Sequence, residues 1–228
     1  MILIKETSVT NSISRRGLLA GSVTGLAVVS LTGCGATEAG ADGKGPHYVM
    51  VFDQTKCVGC GLCKEACNKT NKLPAGIARL VLENQPDDRH RRKYVRVSCQ
   101  QCANSPCVRV CPTGAAYRDK KTGIVTMDGS KCVGCKYCIA ACPYNARFIN
   151  PQTKEAENCD FCLHTRLSKG ELPGCVSACR HGALVFGDAN DPDSYVSRLL
   201  AVKDTVRVMP ELGTEPSLRY IPIRKARI

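Results

Sequence analysis

The sequence predicts an α+β protein of two small interleaved lobes, related by an internal repeat, with short β-hairpins and a C-terminal tail that wraps them. Three observations lead there. Of 17 cysteines in 228 residues, sixteen fall in four dense groups between Cys57 and Cys179. The groups alternate between two patterns, so the chain repeats in the order A, B, A, B. There is no Trp and only 5% of residues are aromatic, so an ordinary apolar core is hard to build and staples are needed instead.

The A pattern is "KCVGCGLCKEACN", with Cys57, Cys60, Cys63 and Cys67. It returns 75 residues later as "KCVGCKYCIAACP", with Cys132, Cys135, Cys138 and Cys142. Both have the C-x2-C-x2-C-x3-C spacing of bacterial ferredoxins, and the second adds the trailing Pro143. Three cysteines two residues apart can wrap one cube of iron and sulfide. Gly59 and Gly134 allow the tight turn and aim N–H groups at the sulfurs. The fourth cysteine is expected to start a helix that points away from that cube, toward its neighbour. The B pattern is looser. Cys99, Cys102, Cys107 and Cys111 follow C-x2-C-x4-C-x3-C, while twelve residues separate Cys162 from Cys175 in the quartet Cys159, Cys162, Cys175 and Cys179. Both B groups end in "CVxxCxxGA".

Two rival chemistries fit less well. Zinc favours isolated C-x2-C pairs, often with histidine, and the chain has only four histidines. Disulfides suit an exported protein with an even cysteine set, yet thiols packed in C-x2-C-x2-C are badly placed to form independent bridges. Iron–sulfur ligation is the reading: four [4Fe–4S] clusters from four complete quartets, with no three-iron centre. The histidines His47, His90, His164 and His181 form no spaced constellation, so no catalytic site is expected.

The formal net charge is +12, which alone would suggest nucleic acid or anionic lipid. Each cube held by four thiolates carries about −2, so four contribute about −8. Loss of the leader, with Lys5, Glu6, Arg15 and Arg16, removes about two more positive charges. The mature, loaded chain then sits near neutrality, and no nucleic-acid partner is expected.

Residues 1–33 read as a targeting segment. Ser14-Arg15-Arg16-Gly17-Leu18-Leu19 resembles the twin-arginine export motif, with Leu18 in place of the usual Phe. The weakly apolar run that follows is too short and polar to span a bilayer. Twin-arginine export carries folded, cofactor-loaded proteins, which suits metal centres assembled in the cytoplasm. Leu31-Thr32-Gly33-Cys34 looks like a lipobox, making the one cysteine outside the quartets a lipidation candidate. Residues 34–46 are small and Gly-rich, a flexible tether.

The stretches "VRVSCQQCANSPCVRVCPTGAAYRD" and "CVGCKYCIAACPYNARFINPQTKEAENCDFC" resemble the four-cluster iron–sulfur subunits of the DMSO reductase family, NrfC type, with the tetrathionate and polysulfide reductase subunits close behind. The resemblance covers nearly all of the mature chain. It implies nested ligation, in which each fourth cysteine serves a partner cluster. Cluster 1 would be held by Cys57, Cys60, Cys63 and Cys179, and cluster 2 by Cys99, Cys102, Cys107 and Cys142. Cluster 3 would use Cys132, Cys135, Cys138 and Cys111, and cluster 4 would use Cys159, Cys162, Cys175 and Cys67. Residues 47–98 plus 151–187 then form the lobe with clusters 1 and 4. Residues 99–150 form the inserted lobe with clusters 2 and 3, and 188–228 are the tail.

The resemblance also implies a function: a periplasm-facing electron-transfer subunit at the cytoplasmic membrane, relaying electrons in anaerobic respiration. Its partners would be an integral, quinol-oxidising NrfD-type subunit and a periplasmic multihaem cytochrome. The alternative is the iron–sulfur subunit of a molybdopterin reductase. The chain departs from the family at Arg180, where relatives usually carry Pro after the last cysteine. Arg180 is therefore a candidate for tuning the potential of the cluster held by Cys179, provided that it turns inward. Strands are expected at Tyr48–Phe52, Tyr94–Val97 and Ile124–Met127. The run Asp87–Lys93 reads as a solvated hairpin tip, and Leu163–Gly174 as a partner-facing helix.

Overall fold

The computed structural model describes residues 45–85 and 92–223. The leader, Cys34 and His90 lie outside them, as do residues 87–91 of the charged run. The described chain mixes short strands and short helices. Among these residues no helix is long and apolar enough to cross a membrane.

The main sheet is built around β1 (Tyr48–Asp53), flanked by β8 (Leu184–Asp188) and β9 (Leu218–Ile221). β8 runs antiparallel, from Tyr48↔Asp188 to Phe52↔Leu184, and β9 runs parallel, from Met50↔Leu218 to Asp53↔Ile221. Alternation gives β1 two buried faces. Val49 and Val51 pack with Val196 of α5 (Tyr195–Val202), whereas Met50 and Phe52 face the core that contains the cysteines. Full burial of such side chains is worth about 1.5–3 kcal/mol each. Ser194 caps α5 by accepting from the Ser197 N–H, a contribution of about 1 kcal/mol.

The remaining strands are hairpins. β2 (Leu80–Asn84) pairs with β3 (Tyr94–Ser98), β4 (Ala116–Arg118) with β5 (Val125–Met127), and β6 (Phe148–Ile149) with β7 (Ala156–Glu157). The three strands expected from sequence are present with ends shifted by one residue.

Two local expectations are corrected. α1 (Leu62–Thr70) starts just before the third cysteine of its motif, Cys63, and the fourth, Cys67, lies inside it. α3 (Tyr137–Ala140) likewise starts just before Cys138. Left-handed residues fix both starts: Gly61 at φ 80° and Lys136 at φ 65°. The second correction is the insert 163–174, which forms turns and one 3-10 turn (Leu167–Lys169) that ends at left-handed Gly170. Gly170 and Pro173 punctuate it before a helix can propagate.

The tail does more than lie on the surface. β9 extends the main sheet, and residues before it meet the second cysteine motif: Ala103 N–H donates to Glu215 O and Asn104 N–H to Thr214 O. Arg79 closes another long-range link through Glu157 (2.9 Å) and Asp160 (3.0 Å).

Candidate functional site

All sixteen cysteines from Cys57 to Cys179 are free thiols. Cys63 and Cys67, four residues apart on α1, share its buried face. The contact of α1 with α4 (Gly174–Ser177) brings them to Cys175. Gly174 permits that approach, since a Cβ there would lie 2.5 Å from Thr70 Oγ1.

Four groups of sulfurs result. Cys57, Cys60, Cys63 and Cys179 line one recess, walled by Phe52 and Leu184. Cys99, Cys102, Cys107 and Cys142 line a second, walled by Tyr144 and Arg147. Cys138 faces Cys111 and Cys132, and Cys135 of the same motif is exposed. Cys67 faces Cys159, Cys175 and Cys162.

Burial, reinforced by neighbouring sulfurs, pushes the Cys63 and Cys102 thiols up to about 11. Burial likewise takes Cys159 to about 12 and holds Cys67 and Cys99 further above the ordinary thiol value. Unliganded, these thiols are neutral at pH 7, and only an electrophilic partner would keep them as thiolates.

Donors surround the sulfurs. The Ala116 N–H donates to Cys111 Sγ (3.3 Å) and the Ala156 N–H to Cys132 Sγ (3.4 Å). Asn71 Nδ2 reaches Cys67 Sγ (3.6 Å) and Cys162 Sγ (3.7 Å), with its carbonyl held by Arg79. Asn158 Nδ2 reaches Cys99 Sγ (3.7 Å). The residue two after the first cysteine of each motif is left-handed: Gly59 (φ 74°), Gln101 (51°), Gly134 (67°) and Phe161 (54°). At Gly59, Gln101 and Phe161 this turn directs a backbone N–H onto the preceding cysteine. A Cβ on Gly59 would fall 2.1 Å from the Tyr94 ring.

Does this arrangement suit a cluster? Among the described residues, no group of three or more His, Cys, Asp or Glu side chains could hold a metal ion. The sulfurs of the first two groups line recesses, and N–H donors that would stabilise thiolates are already aimed at Cys57 and Cys99. Arg147 lines the second recess, and its buried Nε and Nη2 have no hydrogen-bond partner among the described residues. Such donors call for an anionic acceptor. The donor set fits an iron–sulfur cube.

Arg180, the tuning candidate, is exposed, so the inward turn it needed is absent. Two arginines that sequence reasoning missed, Arg96 and Arg147, are buried against cysteine sulfurs. Strand alternation in "YVRVS" points Val95 and Val97 inward, but the structure buries Arg96 and Ser98 more deeply. Among the histidines, His181 borders the first recess, His47 donates its backbone N–H to Asp188, and His164 lies 3.5 Å from Thr126 Oγ1.

These features define an iron–sulfur protein of the ferredoxin type. Comparison with known proteins agrees. A "4Fe-4S dicluster domain" model matches residues 91–189 and a "4Fe-4S binding domain" model matches residues 50–67. Protein NrfC of Escherichia coli (strain K12) is 45% identical over 219 residues, covering 94% of this chain and 98% of NrfC. The polysulfide reductase B subunit of Wolinella succinogenes is 46% identical over 186 residues, covering 79% of this chain and 97% of that subunit. The thiosulfate reductase electron transfer subunit PhsB of Salmonella typhi is 45% identical over 166 residues, covering 71% and 85%. The chain belongs to the NrfC-type family of iron–sulfur subunits.

Proposed function

We propose that the protein is a four-cluster electron wire on the periplasmic face of the cytoplasmic membrane, joining a quinol-oxidising NrfD-type subunit to a periplasmic multihaem cytochrome. The four sulfur groups described above would each hold one [4Fe–4S] cube, with the ligand sets that nested pairing assigns. Bound cubes would supply one-electron exchange over the range of potentials open to such centres.

The observation that carries this reading is how the groups abut. Cys63 of the first faces Cys175 of the fourth. Cys159 of the fourth faces Cys99 of the second. Cys107 of the second faces Cys138 of the third. The order 1-4-2-3 is linear, and it supports two ferredoxin-like lobes, the second inserted in the first, meeting at the 4–2 junction. Gln101 ties that junction, donating to Cys159 O (2.6 Å) and Val125 O (2.9 Å). At the two ends, exposed Cys60 lies beside Val58, 53% exposed, and exposed Cys135 beside Val133, 69% exposed. Apolar surface beside a terminal ligand suits a partner that must come close for electron transfer.

A second reading, the iron–sulfur subunit of a molybdopterin reductase, is supported because identity to the polysulfide and thiosulfate reductase subunits is as high as to NrfC. Native purification from membranes, with haem and molybdenum assays of what co-elutes, tests both. Haem supports the cytochrome partner and molybdenum the alternative. A chain recovered alone from the soluble periplasm contradicts both.

Export by the twin-arginine route and lipidation of Cys34 complete the proposal. One acyl chain, at about 0.8 kcal/mol per buried CH2, anchors only marginally, whereas the diacylglyceryl group on a lipoprotein cysteine anchors stably. Gly35, which follows, is not the aspartate that retains lipoproteins in the inner membrane of enteric bacteria, so retention there would fall to the protein partner. In cells lacking the partner, Cys34→Ala is expected to release the protein from membranes, and intact mass should show the lipid only on the parent chain. A mature N-terminus downstream of Cys34 would refute lipidation.

A further inference from the structure

The two arginines at the sulfurs are the most unusual buried groups in the molecule. Arg96 is 1% exposed and Arg147 4% exposed. A guanidinium stripped of water ordinarily faces a carboxylate, because an uncompensated buried charge is very costly. The acceptors around Arg96 are different: Ser98 Oγ at 3.0 Å, the Met50 thioether, Cys159 Sγ at 3.8 Å and Cys175 Sγ at 3.9 Å. Cys63 and Cys67 also lie in its field. Arg96 therefore sits between the first and fourth sulfur groups.

Arg147 repeats the arrangement in the other pair from an unrelated place in the sequence. It donates to the Met127 thioether at 2.8 Å, and it faces Cys107, Cys99 and Cys138. It therefore lies between the second and third groups. Two of its donor nitrogens have no partner among the described residues. Burial works against the charge of both arginines, and thiolate charge on the adjacent sulfurs would outweigh it. The thioethers hold each guanidinium in place without neutralising it, since sulfur there carries no charge.

We infer that Arg96 and Arg147 are positioning residues that raise the reduction potentials of the clusters in pairs, Arg96 for those of the first and fourth groups and Arg147 for those of the second and third. The inference rests on the four-cluster reading above. Reduction takes a cube with four thiolates from about −2 to about −3. A fixed cation binds the more negative state better, so it shifts the equilibrium toward reduction. Arginine suits the role because its charge persists when buried, and a lysine beside an anionic cube would be held in its charged form by the same attraction. Gln101 and Asn158, which bridge the fourth and second groups, are neutral amides, and each cation lies nearest the sulfurs of its own pair.

The test is an EPR-monitored redox titration of the loaded protein, with iron counted in every sample. Arg96→Met is expected to lower two of four midpoint potentials. The reduction constant of the nearer cluster should fall at least about tenfold, which is about 59 mV for one electron. Arg147→Met should lower the other two, and the double variant all four. Arg96→Lys and Arg147→Lys keep the charge and should shift less. Unchanged potentials at full iron content would overturn the inference and leave the wire intact, as would equal shifts in Lys and Met variants. If Arg96→Met fails to load, Arg147→Met and the two Lys variants decide by the same criteria. A parent protein without four clusters would instead sink the reading beneath it.

Discussion

Removing iron with a chelator under reducing conditions is expected to abolish most of the cooperative stability of residues 45–223. The main core contains Cys63, Cys67, Cys99, Cys102, Cys159 and Cys175 alongside Met50, Phe52 and Leu218, so the centre of the molecule is built from ligand side chains. Without a bound group, their recesses become cavities and their donors lose acceptors. Structural metal centres of this kind contribute folding energy directly, about 10–16 kcal/mol for a zinc site in small peptides. Circular dichroism and amide exchange check the outcome, and an apo protein with the melting curve of the loaded one would refute it. The pH response should also reverse. The apo thiols of Cys63, Cys102 and Cys159 have folded-state pKa values of about 11, 11 and 12, above the ordinary 9.0. The stability they lend the apo form is present below about pH 9 and lost as pH rises through those values. The loaded protein holds thiolates, so acid is what displaces its metal.

Cys63→Ser and Cys67→Ser should strike different clusters although the residues are one helical turn apart. Cys63 lines the recess of Cys57 and Cys179, whereas Cys67 faces Cys159, Cys162 and Cys175. Loss of Cys67 should extinguish or convert one EPR signal, and Cys63→Ser should change another. The functional costs also differ. The fourth sulfur group lies between the first and second, so Cys67→Ser should slow passage through the chain by orders of magnitude, since transfer must then skip a centre. The same signal lost in both variants would contradict the nested arrangement.

How much of this was written in the sequence follows from the range of the interactions. Cysteine spacing is local, and so are the turns at Gly59 and Gly134, where glycine marks the left-handed residue. Gln101 and Phe161 adopt the same conformation without that marker, because tertiary contacts hold them there. Gln101 is tied through its amide to β5 and Cys159, and Phe161 is buried against Phe186. Arg96 was hidden because a charged residue in an alternating strand reads as outward-facing. Only the folded chain brings it the sulfurs of Cys159 and Cys175, more than sixty residues away. The parallel pairing of β9 with β1 joins the two ends of the described chain, and no local pattern announces it. Arg180 failed as a candidate for the converse reason: adjacency to Cys179 in sequence did not place its side chain inward.

Four complete cysteine quartets are expected to hold four cubes. Iron and acid-labile sulfide, measured per chain on anaerobically purified protein, test it most directly. About sixteen of each are expected. About eight of each, or stoichiometric zinc, would contradict it.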